Sequence, residues 1–110
     1  MATNGPVREL SVEAVAELLR AGDAVFLDAN PASRHKRGHL PGAVLVDPGA
    51  VGEALPEDRT APVVFYCRDR SCGAAPAAAR RAVKLGFTDV GVMPDGIQGW
   101  VAAGLPVETG

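Results

Sequence analysis

The sequence predicts an α/β fold built on a parallel sheet, and three observations carry that expectation. Short apolar runs alternate along the chain with segments of helical composition, the pattern left by strand–helix–strand crossovers, which are right-handed. The run at 24–28 is apolar almost throughout, as strands covered on both faces are. The run Val63-Val64-Phe65-Tyr66 is apolar, β-branched and aromatic; a short polar loop follows it, and then an Ala-rich stretch at 74–85. A chain of 110 residues fits one such domain. Residues 1–6 read as a disordered tail and 7–110 as the domain.

In chain order, 7–10 reads as a short edge strand. Ser11 is placed to cap a helix over 12–20, with Glu13 in its first turn, an apolar stripe of Val12, Val15, Ala16, Leu18 and Leu19, and Gly22 at its end. The strand at 24–28 ends on Asp28, at the carboxyl end of the sheet. Residues 31–36 hold one helical turn. The turn-rich Gly38-His39-Leu40-Pro41-Gly42-Ala43 leads into a strand at 44–46, and 47–55 reads as a short helix. After the strand at 63–66 and the helix at 74–85, the last strand is expected at 89–93. Pro94-Asp95-Gly96 then turns into a helix over 97–103 that holds Trp100 and stops at Gly104.

The loop Cys67-Arg68-Asp69-Arg70-Ser71-Cys72-Gly73 organises the chain. A thiol at the carboxyl end of a parallel strand, facing the amino end of the next helix, stands where anions bind. Amide dipoles and guanidinium groups nearby favour the thiolate. Cys67 is therefore expected as a nucleophile, with Arg68, Asp69, Arg70, Ser71, Cys72 and Gly73 as its substrate-binding cradle. The competing reading is a buried cysteine with no chemistry.

The totals narrow the function. Net charge is −2, against a general nucleic-acid surface, and no apolar run nears the roughly 20 residues that span a bilayer. No secretory signal pattern opens the chain. Two cysteines are too few for a disulfide scaffold or a zinc site, so no metal or other cofactor is expected, and the compartment is expected to be the cytoplasm.

Several segments, in order, resemble the rhodanese-like family: Phe26-Leu27-Asp28 with Gly38-His39-Leu40-Pro41-Gly42-Ala43, Val63 to Cys67, Leu85-Gly86-Phe87, Val90, Gly96-Ile97 with Trp100, and Gly104-Leu105-Pro106-Val107. The resemblance implies a rhodanese-like α/β domain with a five-stranded parallel sheet and helices on both faces. It also implies a sulfurtransferase that moves sulfane sulfur from thiosulfate or a similar small anionic donor to cyanide or a thiol, a protein thiol included, through a Cys67 persulfide.

This chain departs from the family pattern at three places. The loop from Cys67 to Gly86 spans nineteen positions, longer than the common form, and resembles the subgroup with a second cysteine five positions on. Asn30 and Arg34 stand where many members carry Arg and Glu. Asp95 replaces the first glycine of a Gly-Gly pair, in a turn where a positive φ is expected. Cys72 is either filler or a thiol that resolves Cys67 as a disulfide. Ser71 either bonds the persulfide or, as preferred, caps the following helix. Asp28 either anchors a turn, as preferred, or touches the site. His39 reads as structural and Trp100 as core; Asp47, Arg80 and Arg81 read as solvated. Two other functions use the same loop logic: an arsenate reductase or phosphatase, and a non-enzymatic sulfur carrier or regulatory module. The phosphatase pattern wants Arg six positions after the cysteine, and here that residue is Gly73.

Overall fold

The structure, a computed structural model, describes residues 7–110; the tail expected at 1–6 lies outside the described residues. Five strands, β1 Val7–Glu9, β2 Val25–Asp28, β3 Val44–Leu45, β4 Val63–Tyr66 and β5 Val90–Val92, form one parallel sheet in the order β1-β5-β4-β2-β3. The helices are α1 Val12–Ala21, α2 Ala32–Arg37, α3 Ala74–Lys84 and α4 Gly96–Ala102. The expected α/β architecture is thus the one adopted, with β1 on an edge. β4 is central: Phe65 pairs with Leu27 on one side and with Val92 on the other. Its carboxyl end, and Cys67 with it, opens at the middle of the sheet.

The period of two along β4 assigns its side chains to opposite faces. Val63 and Phe65 pack with Leu27, Val90, Val92 and the small face of α3, Ala75, Ala78, Ala79 and Ala82. Val64 and Tyr66 pack with Phe26, with Val12, Val15 and Ala16 of α1, and with Ile97 and Trp100 of α4. Alanines let α3 lie close over the sheet, whereas the opposite face is filled by the fully buried Trp100, whose Nε1–H donates to the Pro106 carbonyl at 2.7 Å. Ser11 caps α1 as expected, its hydroxyl accepting from the Ala14 amide at 3.0 Å. That bond stabilises the helix by about 1 kcal/mol.

One expected helix does not form. Over 47–55 only a short 3-10 turn, Val51–Glu53, is present. Pro48, Gly49 and Gly52 are poor helix formers, and Asp47 turns its carboxylate onto the Gly49 amide at 2.9 Å. Val51 is still buried against the α3 face of the core.

Candidate functional site

The start of the cysteine loop is fixed from the far side of the sheet's end. The Cys67 carbonyl accepts from the Ile97 amide at 2.9 Å and the Arg68 carbonyl from the Gln98 amide at 3.0 Å. These are first-turn amides of α4, which have no partner within their own helix. The approach is close enough to demand glycine: a Cβ on Gly96, whose φ is +66°, would stand 2.5 Å from the Arg68 carbonyl carbon and oxygen and 2.6 Å from the Cys67 oxygen.

Cys67 itself is only 3 % exposed. Its sulfur is joined to that of half-buried Cys72 in a disulfide, with the two Cα atoms 6.4 Å apart. Of the alternatives for Cys72, the structure therefore holds the bonded one. The rest of the loop is organised by Asp69. One of its carboxylate oxygens accepts from the Ser71 amide at 3.0 Å and the Ser71 hydroxyl at 2.7 Å, and the Asp69 carbonyl accepts from the Cys72 amide at 3.1 Å. The two Ser71 bonds, with the Arg68 charge as a lesser cause, hold the Asp69 carboxyl below its ordinary pKa.

This arrangement corrects three expectations. Ser71 does not cap α3; Gly73 occupies the cap position without a side-chain bond, because the serine is engaged by Asp69. The amides of Ser71 and Cys72 do not aim at the Cys67 sulfur. Nor do the arginines form an open cationic cradle: Arg68 Nε lies 3.3 Å from Asp69 Oδ2, and Arg70 Nε lies 2.7 Å from Asp95 Oδ1.

Asp95 carries a further correction, since its φ is −65° and the positive φ falls one residue later, on Gly96. The aspartate fits without backbone strain. Gly99 leaves it room, because a Cβ there would stand 2.5 Å from that of Asp95.

Cys67, Asp69, Arg70 and Cys72 line a cavity of about 260 Å³, closed by Glu9 and by apolar Val7, Ala75, Pro76, Val92, Met93 and Pro94. Arg68 and Gly73 are not among its walls. Glu9 and Asp69 against Arg70 give the walls a formal charge of −1, so the pocket is mixed rather than basic. A second, mostly apolar cavity of about 480 Å³ lies against Ala29, Pro31, Leu45, Val46 and Pro48, with Asn30 and Asp47 also on its wall. Cys72 is the one residue that lines both; Cys67 opens only on the first.

Asp28 anchors a turn, as preferred from the sequence. Fully buried, it accepts from the Asn30 amide and side-chain Nδ2, both at 2.8 Å, and from His35 Nδ1 at 2.8 Å. Asn30 thus serves this turn with both its backbone and its side-chain amide. His39 is structural: its Nδ1–H donates to the His35 carbonyl at 2.8 Å, and the two rings stack with centroids 3.8 Å apart. The Tyr66 hydroxyl accepts from the Leu40 amide at 3.1 Å. Burial, and then the Asp28 carboxylate, push the phenol far above its ordinary pKa. Asp47 and Arg80 are exposed, as is Arg81, which donates to the Pro48 carbonyl at 2.7 Å. Among the described residues no group of three His, Cys, Asp or Glu is placed to hold a metal ion, and no helix is long and apolar enough to cross a membrane.

Glu9 lines the cavity and Asp95 holds Arg70 on its wall, and neither was read from the sequence as a site residue. The available signal was position: Glu9 ends a parallel strand, and Asp95 follows one closely, on the side where such sheets bind ligands.

A rhodanese-like domain profile matches residues 11–103. An HTH-type transcriptional regulator of Mycobacterium tuberculosis, Rv0324, is 39 % identical over 101 residues, which cover 86 % of this chain and 43 % of the regulator. The chain therefore spans less than half the length of that curated relative. Among solved structures, the BH2092 protein of Bacillus halodurans superposes with a TM-score of 0.84 at 22 % identity, over 93 % of this chain and 77 % of that one. The thiosulfate sulfurtransferase of Pseudomonas aeruginosa superposes with a TM-score of 0.80 at 27 % identity, over 94 % of this chain and 20 % of that one. At its lower identity, the first of these speaks for the fold alone.

Proposed function

Since this chain belongs to the rhodanese-like domain family, we propose that it is a sulfurtransferase that carries sulfane sulfur on Cys67. The observation that supports the reading most is the seat of this cysteine: the end of the central strand, backbone gripped by α4, the residue on the wall of a cavity sized for a small molecule. The amino end of α3 follows the loop, and its dipole favours negative charge there.

In the reduced protein, the Cys67 thiolate attacks the outer sulfur of thiosulfate. A bond forms between that sulfur and Sγ, the sulfur–sulfur bond of the donor breaks, and sulfite leaves with the electron pair. An acceptor thiolate or cyanide then takes the outer sulfur and returns the Cys67 thiolate. Neither step calls for a metal or an organic cofactor. The reduced form that this chemistry needs suits a cytoplasmic setting. The other loop residues, Arg68, Asp69, Arg70, Ser71, Cys72 and Gly73, act on this reading as a framework: Asp69 sets the turn, and Arg70, paired to Asp95, lines the cavity.

Mass spectrometry of the reduced Cys72→Ser protein after incubation with thiosulfate tests the proposal. A gain of one sulfur atom on the peptide containing Cys67 supports it. No adduct, with turnover of a phosphate ester instead, overturns it.

A second reading has its own support in the match to a transcriptional regulator. On that reading the domain senses or carries sulfur for a larger protein, and the same persulfide forms without catalytic turnover.

A further inference from the structure

We propose that Cys72 discharges the Cys67 persulfide within the domain and releases hydrosulfide. The inference rests on the sulfurtransferase reading above and adds an activity to it. Its ground is the juxtaposition of a disulfide between Cys67 and Cys72 with two cavities that meet only at Cys72.

The step balances without an added reagent. The Cys72 thiol passes its proton to the outer sulfur of the Cys67 persulfide anion and, as the thiolate, attacks Sγ. A bond forms between the two cysteine sulfurs, the bond from Sγ to the outer sulfur breaks, and the outer sulfur leaves with the electron pair as hydrosulfide. The sulfane sulfur is reduced by two electrons and the cysteine pair is oxidised by two. The product is the disulfide present in the structure. A Cα separation of 6.4 Å is within the range that a disulfide bridges without moving the backbone. Two thiols five positions apart also meet at an effective concentration far above that of free thiols. Hydrosulfide is a weaker base than an alkyl thiolate and leaves more readily.

The second cavity supplies the reset. Cys67 is nearly sealed, whereas Cys72 is half-buried and faces the mostly apolar cavity beside Pro31, Leu45 and Pro48. An external thiolate attacks Cys72 Sγ from that side, forms a mixed disulfide and expels the Cys67 thiolate. A second thiolate attacks the external sulfur of that mixed disulfide, giving a small-molecule disulfide and the Cys72 thiolate. The sulfur donor uses one opening and the reductant the other, so the two do not compete for space.

The test uses reduced protein, freed of reductant, with excess thiosulfate and no acceptor. Wild type is expected to release one hydrosulfide per chain in a single burst and to lose two titratable thiols. Sustained release follows only when a low-molecular-weight thiol is added. Cys72→Ser, with Cys72→Ala as a second variant, is expected to keep the persulfide as a stable added sulfur and to release none. If those variants hold a persulfide while wild type also holds it and releases no hydrosulfide, the discharge step is refuted and the sulfurtransferase reading stands. If no variant gains sulfur, the sulfurtransferase reading fails and the inference falls with it.

Discussion

The contact between Gly96 and the cysteine loop can be tested by adding one methyl group. In Gly96→Ala the new Cβ would stand 2.5 Å from the Arg68 carbonyl, and the backbone would keep a φ of +66° that L-residues resist. The left-handed conformation costs roughly 1–2 kcal/mol. Relief of the overlap pulls α4 from the loop and weakens two hydrogen bonds, Ile97 to Cys67 and Gln98 to Arg68, worth about 0.5–1.5 kcal/mol each. The sum is about 2–5 kcal/mol, a large part of the 5–15 kcal/mol typical of a domain. In urea the midpoint should fall by about 1–2.5 M at a slope of about 2 kcal/mol per molar, the middle of the range for small domains. Gly104→Ala is the control. Its φ is +78°, yet a Cβ there meets no atom within 4 Å, so it carries the conformational cost alone. Equal losses in the two variants would refute the claim that close approach of α4 fixes the loop.

Four further outcomes are expected. Tyr66 is the only tyrosine, so phenolate absorbance reports it cleanly; its raised folded pKa contributes stability that is complete below about pH 10 and lost as pH rises beyond it, and ionisation should therefore coincide with unfolding rather than precede it. Asp28→Ala leaves two Asn30 donors and His35 without their buried acceptor and should cost about 3 kcal/mol or more in thermal or urea unfolding, while a loss below about 1 kcal/mol would contradict the anchoring role. Reducing the disulfide removes a short loop constraint and should lower stability by only about 2 kcal/mol, measured as the shift in urea midpoint with and without reductant. Glu9→Gln combined with Asp69→Asn should lower the KM for thiosulfate at low salt, with the gain shrinking as ionic strength rises; an unchanged KM would show that the carboxylates do not oppose the dianion.

The sheet and the place of the cysteine were legible because they depend on local composition and period. Val63 to Tyr66 could only be a covered strand, and the alanines of α3 could only face a sheet closely. What failed depends on partners distant in sequence or on a choice between two local bonds. Arg70 looked free because its partner, Asp95, lies 25 residues away. Ser71 stands where a helix cap is expected, but Asp69, two residues back, competes for its hydroxyl and wins. The segment at 47–55 had enough apolar residues for a helix, and its proline and two glycines outweighed them. Asp95 was misjudged because the positive φ of the turn falls one residue later, on Gly96.

The cysteine loop is tied unevenly, and this sets how it moves. Its first two residues hang on the frame of α4, whereas 69–72 are held mostly by bonds inside the loop itself. In hydrogen exchange, the Ile97 and Gln98 amides should therefore follow the opening of the whole domain, and those of Ser71 and Cys72 should exchange through small local excursions. On the proposed function, the Cys67 sulfur stays in register on the stationary half while Cys72 swings on the other, so gaining and breaking the cross-link need not disturb the sheet beneath.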